Sequence, residues 1–120
     1  MANPNVVAVS SIQANTAVDA DVAASAVSLL TCASDKLLKI NSLIIANIDG
    51  TNAASIDVWV HRSSADYYIA KTISVPADAT LVVIDKNMGL YLTESDVLKI
   101  QASAAGDLSA TCSYEEIDDA

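Results

Sequence analysis

The residue best suited to acid–base chemistry is His61, the only histidine in the chain. An unperturbed imidazole titrates near neutral pH and could serve as a general base. A hydrolase would also need a nucleophile beside it and a third group to orient it. The sequence contains neither a Gly-x-Ser-x-Gly elbow nor a Cys–His pattern. We therefore predict that the chain has no catalytic residue and is not an enzyme.

Ligands for metals and phosphates are equally sparse. The two cysteines and one histidine show no paired spacing, and three glycines in separate turns cannot form a phosphate-binding loop. Residues 49–52 and 93–96 contain acidic side chains, but turn formation explains them better than calcium binding does. The pair Glu115 and Glu116 lies near the end of the chain, which does not favour a glycosidase. We predict no metal and no cofactor.

Asp57, Trp59 and His61 alternate with apolar residues, so they share one face of a predicted strand. A tryptophan beside polar side chains is typical of a subunit contact or of a surface on which a sugar stacks. Alternatively, a neighbouring loop covers the tryptophan. We predict that the three residues form an interface patch between subunits.

The chain is acidic, with 15 Asp and Glu residues against 6 Lys and Arg and a net charge of −9. Its basic residues are scattered singly, whereas binding to nucleic acid needs clusters of them to displace counterions. An anionic membrane is disfavoured for the same reason. We therefore predict neither nucleic acid nor membrane as a partner. Residues 1–5 lack the basic and apolar regions of a secretory signal.

The length of 120 residues suffices for one domain with its own core. Hydrophobic residues make up 52% of the chain, yet there is no Phe and only one Trp. Short branched side chains of this kind suit two sheets packed face to face. Cys32 and Cys112 lie in apolar runs, which predicts two buried, reduced thiols, although a bridge between adjacent strands remains open.

Short alternating apolar runs separated by turn residues indicate strands throughout the chain. In the longest run, residues 37–48, one parity carries Leu38, Ile40, Ile44, Ala46 and Ile48. A turn at residues 49–52 leads into Ile56, Val58 and Val60, which face away from the interface patch. These segments predict a hairpin whose apolar side lies against a core.

Eight or nine strands, spaced by about ten residues, predict an all-β antiparallel sandwich of the jelly-roll or immunoglobulin-like type. Alanines within residues 22–30 leave open a short helix there. We expect residues 1–20 to form an N-terminal arm or edge strand, residues 21–117 the sandwich domain and residues 118–120 an acidic tail.

Several stretches are distinctive: residues 38–47 with 49–50 and 56–58, residues 68–77 with 81–86, residues 91–102, and residues 113–116. Together they resemble small structural proteins of tailed-bacteriophage virions, over about residues 37–117. The resemblance implies a β-sandwich on the capsid, neck or tail, and an oligomeric role without enzymatic activity. It transfers no site residues.

The resemblance also implies the location and the partners: a virion assembled in the host cytoplasm, the major capsid protein or other virion proteins, and further copies of the chain. A capsid decoration or cement protein is the first hypothesis, and a neck, tail or fibre-associated module is the second. A third hypothesis, of a different class, is a carbohydrate- or receptor-binding module that uses Trp59, Tyr67 and Tyr68 as stacking platforms. In a capsid-bound protein the N-terminal segment could lie across a neighbour by strand addition.

Overall fold

The computed structural model describes residues 4–119, and the regular elements in that range are antiparallel β-strands. The strands are β1 (Val9–Asp19), β2 (Val27–Thr31), β3 (Lys36–Asn47), β4 (Ala54–Arg62), β5 (Ala65–Val75), β6 (Thr80–Ile84), β7 (Leu90–Leu92), β8 (Val97–Ala102) and β9 (Leu108–Asp119). No helix of bilayer-spanning length and hydropathy occurs within residues 4–119.

The nine strands form two sheets. The five-stranded sheet has the order β1-β9-β3-β6, and β7 pairs with the first part of β3, while the four-stranded sheet has the order β2-β8-β4-β5. Strands from the first half of the chain pair with strands from the second half along one ribbon: β1 with β9, β2 with β8, β3 with β6 and β7, and β4 with β5. Within the sheets, β9 also pairs with β3 and β8 with β4. An antiparallel ribbon rolled up in this way is a jelly roll. The predicted antiparallel sandwich is confirmed, and of its two types the chain forms the jelly roll. The hairpin predicted from residues 37–48 and the strand that follows them is wrong, because β3 and β4 lie in different sheets.

Alternating side chains from both sheets meet in one apolar core. In β4, Ile56 and Val58 are fully buried, as their spacing predicts. In β9, Leu108, Ala110 and Cys112 point inward and belong to the same cluster. Along these two strands the period of two assigns the faces correctly.

The face that β3 presents to the core changes partway along the strand. Between Ile40 and Ser42 the register with β9 shifts by one residue, so Asn41 forms a β-bulge. Beyond the bulge Ile45 is fully buried, whereas Ile44 is 36% exposed. The parity that groups Ile44 with Ile40 is therefore wrong, because one extra residue reverses every later side chain.

Residues 22–30 do not form the short helix that their alanines left open. Val22 is fully buried, and its amide donates a hydrogen bond to the carbonyl oxygen of Leu108 (2.8 Å). The strand β2 then starts at Val27. The apolar residues of this segment are buried in the core or belong to the strand that pairs with β8. These tertiary contacts outweigh the helix propensity of alanine.

The N-terminal segment contributes β1, which pairs with β9 at one edge of the five-stranded sheet. Near the end of β9, Nζ of Lys36 lies 3.2 Å from a carboxylate oxygen of Glu116 and 3.2 Å from one of Asp118. The division into an arm (1–20), a sandwich domain (21–117) and an acidic tail (118–120) stays a prediction. Its residues 1–3 and 120 lie outside the described part of the chain.

Cys32 and Cys112 are buried and not bridged to each other. Burial raises the pKa of Cys112 to about 12, and burial is also the main cause that raises the pKa of Cys32. A thiol that stays protonated and out of contact with water is a poor nucleophile. Both side chains pack in the core as small apolar groups.

Candidate interaction surface

The predicted interface patch lies on the outer side of the four-stranded sheet. Asp57, Trp59 and His61 share that side of β4, as their spacing predicts. Trp59, however, is only 5% exposed, because Tyr68 of β5 packs against it with ring centroids 5.2 Å apart. Nζ of Lys71 in turn lies 4.7 Å from the centroid of the Tyr68 ring. The cover over the tryptophan therefore comes from the neighbouring strand.

The other two members of the patch are also bonded within the chain. Nδ1 of His61 lies 2.6 Å from Oδ1 of Asp66. Oδ1 of Asp57 accepts a hydrogen bond from the amide of Thr72 (2.6 Å), a β-branched residue held at φ 52°. Asp57 thus fixes a bulge in the edge strand β5. The role of the patch as a subunit contact stays a prediction.

A groove of about 440 Å³ lies between the edge strands β5 and β7 of the two sheets. Its lining includes Tyr67, Tyr68 and Tyr91, which are 58%, 47% and 42% exposed. Of the three side chains expected as sugar-stacking platforms, Tyr67 and Tyr68 are accessible and Trp59 is not. The guanidinium of Arg62, also in the lining, is already bound to a buried carboxylate.

That carboxylate belongs to Asp96, in the turn between β7 and β8. It accepts hydrogen bonds from Nε of Arg62 (2.8 Å) and from the amide (2.8 Å) and hydroxyl (3.0 Å) of Thr93. Burial raises the pKa of Asp96, but the hydrogen bonds from Arg62 and Thr93 together outweigh burial and hold that pKa below its usual value. The carboxylate is therefore used to fix the turn.

We expect the free energy of unfolding to fall as the pH drops below about 4. A carboxyl group whose pKa is lowered by folding stabilises the folded state fully above its unfolded pKa, about 3.9, and this stability is lost as the pH falls through the lower folded pKa. Asp96→Asn should lower the free energy of unfolding at neutral pH by about 1–3 kcal/mol and flatten its acid dependence, because it removes charge-assisted hydrogen bonds. Urea unfolding across this pH range measures both effects. An unchanged acid dependence in the variant would contradict this role of Asp96.

The loop at residues 49–52 is likewise a turn built around its own aspartate. Oδ1 of Asp49 accepts a hydrogen bond from the amide of Thr51 (2.8 Å), and Oδ2 accepts one from Nδ2 of Asn52 (3.2 Å). The bond from Thr51 is the main cause that lowers the pKa of Asp49, whereas a hydrogen bond with Asp49 raises the pKa of Asp107. Within residues 4–119 no three His, Cys, Asp or Glu side chains are placed to hold one metal ion.

The outer side of the five-stranded sheet carries apolar and hydroxyl side chains in rows that cross its strands. One row joins Val18, Thr111, Ile44 and Val82, on β1, β9, β3 and β6. The flanking rows are Thr16, Ser113 and Ser42 on one side, and Ser109, Ala46 and Thr80 on the other. We call these three rows the outer face. Val18 is 71% exposed and Val82 is 56% exposed, so the apolar part of this face is in contact with solvent.

The outer face contains no charged side chain, although 18% of the chain is charged. The next row along the sheet holds Glu115 and Lys39, whose Oε1 and Nζ lie 4.0 Å apart. Nδ2 of Asn41, at the bulge, also donates to Oε1 of Glu115 (3.3 Å). Depletion of charge at the centre with polar groups at the rim is the composition of a protein–protein interface. The outer face is therefore suited to dock on another protein.

Sequence reasoning missed the outer face because parity alone assigns Ile44 to the core. The bulge at Asn41 sends Ile44 outward and brings Leu43 and Ile45 inward. One signal in the sequence could have indicated it. Both parities of residues 37–48 carry apolar side chains, which is typical of a strand covered on both faces.

Comparison with solved structures finds chains that are similar in structure at low sequence identity. A chain from the disulfide-linked pili that form Bacillus endospore appendages is similar at a TM-score of 0.50 and 15% identity, over 91% of this chain and 89% of that chain. A chain from T=1 particles derived from infectious bursal virus is similar at a TM-score of 0.52 and 12% identity, over 92% of this chain and 32% of that chain. A chain from the capsid of Helicobacter pylori bacteriophage KHP30 gives a TM-score of 0.49 and 9% identity, over 89% of this chain and 93% of that chain.

At these identities the likeness shows the fold alone. The chain spans about a third of the infectious bursal virus chain, so it corresponds to one part of that protein, but it spans most of the appendage chain. No protein-family model and no curated protein sequence matches it.

Proposed function

We propose that this chain is a non-enzymatic structural protein of a bacteriophage virion, and specifically a capsid decoration protein that docks on the shell through its outer face. The observation that carries the proposal is the absence of charge from that face, across four neighbouring strands of a chain whose net charge is −9. The resemblance of residues 37–117 to small virion structural proteins supports the same conclusion.

Burial of apolar surface would drive the docking. Val18, Ile44 and Val82 are 71%, 36% and 56% exposed, so complete burial would contribute on the order of 1 kcal/mol for each side chain. The side chains project from paired strands, so little conformational entropy is lost on binding. The acidic residues elsewhere on the surface keep free copies soluble. A modest contact per copy suffices where many identical sites are arrayed on a shell.

Purified particles of the phage that encodes the chain should contain it in large numbers. A decoration protein follows the symmetry of the shell and reaches on the order of hundreds of copies, whereas a neck, tail or fibre module reaches about a dozen. Quantitative mass spectrometry against the major capsid protein measures this ratio. A low copy number would favour the neck, tail or fibre alternative, and absence from the particles would reject both.

A carbohydrate- or receptor-binding module is the alternative of a different class. The exposed tyrosines of the groove support it. Trp59 is covered, however, and Arg62 is bound to Asp96, which leaves few polar groups to orient a sugar. We therefore favour the structural role.

A further inference from the structure

The edges of the two sheets differ in how well they are protected against pairing with another chain. β2 has 5 residues, β6 has 5 and β7 has 3, so each offers only a short row of backbone groups. β5 is longer, but two register shifts interrupt it, and it carries a lysine, Lys71. Short strands, bulges and lysines are devices that prevent edge-to-edge association.

β1 has only one of these devices, a register shift between Val9 and Ser11 at its N-terminal end. It is 11 residues long, and its register with β9 is regular from Ser11 to Asp19. It contains no Lys, Arg or Pro, and its only charged residue is Asp19 at its end. Within residues 4–119 no strand pairs with its other side. An unpaired edge of this length is a ready template for another strand.

Apart from Ala17, which packs against the core, the apolar side chains among residues 12–18 of β1 point outward. The register with β9 places Ile12, Ala14 and Val18 on the outer side of the sheet, and Ile12 is 54% exposed. Gln13 and Asn15 lie on the inner side and are also exposed. Ile12 and Val18 therefore gain little from the core of their own chain, and a partner that extends the sheet would cover part of them.

We propose that β1 pairs antiparallel with β1 of a second copy, across a two-fold axis that passes through Asn15. In an antiparallel pair, residues opposite each other lie on the same side of the sheet. An axis at Asn15 sets Ile12 opposite Val18 of the second copy, and Ala14 opposite Thr16 of the second copy. Because the axis is two-fold, the dimer contains two contacts between Ile12 of one copy and Val18 of the other. Shifting the axis by one residue removes both of them.

This register makes the outer surfaces of the two copies continuous. The row of Val82, Ile44, Thr111 and Val18 in one copy continues into Ile12 of the second copy. Because β1 lacks charge except at Asp19, two copies with a net charge of −9 can approach at this edge with little local repulsion. The dimer extends the proposed function by presenting two docking faces side by side. It is a property of the chain in solution, however, and does not rest on binding to a particle.

A single-cysteine variant tests the register. Asn15→Cys would place two cysteines directly opposite each other, with Cα atoms about 4.5–5.5 Å apart, within the range that a disulfide spans. Gln13→Cys is the matched control, because Gln13 lies on the same side of the same strand as Asn15. In the proposed register, however, Gln13 of one copy lies four residues along the strand from Gln13 of the second copy, so the two substituted positions are too far apart for a disulfide. Cys32 and Cys112 are 1% and 0% exposed and should not compete. Under mild oxidation we expect a covalent dimer from Asn15→Cys and little from Gln13→Cys.

Equal cross-linking of the two variants, or none from Asn15→Cys, would overturn the proposed register. Sedimentation of the unmodified chain tests the association itself, and we expect a monomer–dimer equilibrium that depends on concentration. Ile12→Lys, at an exposed position, should shift that equilibrium to monomer without altering the fold. A monomer at every concentration, or a dimer unaffected by Ile12→Lys, would reject the pairing, whereas the copy number in particles would still report separately on the proposed function.

Discussion

Replacing Ile45 with alanine is expected to lower the free energy of unfolding by about 2–5 kcal/mol, and the melting temperature by about 8–20 °C. Ile45 is fully buried in the core between the two sheets. Alanine there would lose apolar contacts and leave a cavity that the close-packed neighbours cannot fill. Urea unfolding and a thermal melt would measure the loss.

Ile44→Ala is the matched control, since it makes the same change one residue earlier on β3. Ile44 is 36% exposed and points outward, so the expected loss is below about 1 kcal/mol. The difference between the two variants measures the effect of the bulge at Asn41. Equal losses, or a larger loss at Ile44, would mean that β3 does not have the register described.

Thr111→Lys is expected to weaken binding to the shell by about 100-fold or more. Thr111 lies on β9, in the row between Val18 and Ile44. A lysine there would bring an ammonium group into the middle of a face that contains no charge to neutralise it. The experiment is co-sedimentation of the variant with particles that have been stripped of the protein.

The control for this variant is Thr31→Lys, the same exchange at an exposed position on β2 of the other sheet. Both threonines are exposed, so both variants should melt near the temperature of the unmodified chain. If Thr111→Lys binds normally while Thr31→Lys does not, the four-stranded sheet is the docking side. Equal loss in both variants would indicate a general effect of charge.

Alternation in the sequence predicts the sandwich well wherever the period of two is unbroken. β4 and β9 place Ile56, Val58, Leu108 and Ala110 inside, as the pattern requires. The choice between a jelly roll and an immunoglobulin-like sandwich depends on which distant strands pair, such as β1 with β9. Local pattern carries no information on that pairing, because it arises from contacts between the two ends of the chain.

The candidate interaction surfaces are harder to predict because each depends on register. The bulge at Asn41 exists only in relation to β9, and it decides whether Ile44 lies in the core or on the outer face. Similarly, Trp59 is covered because a bulged β5 brings Tyr68 opposite to it. In both cases the residue type is visible in the sequence, whereas its exposure is set by a partner strand. The sequence therefore predicts that Asp57, Trp59 and His61 share a face, but it does not predict that each contacts a neighbouring residue of the same chain.

A reconstruction of the native particle by cryo-electron microscopy is the most direct test of whether the outer face is the docking surface. We expect density for the chain at repeated positions on the shell, with Val18, Ile44 and Val82 within about 4 Å of shell side chains. The side of the four-stranded sheet that holds Trp59 should face away from the shell. Density that seats the four-stranded sheet on the shell, or that leaves the outer face in solvent, would contradict the assignment.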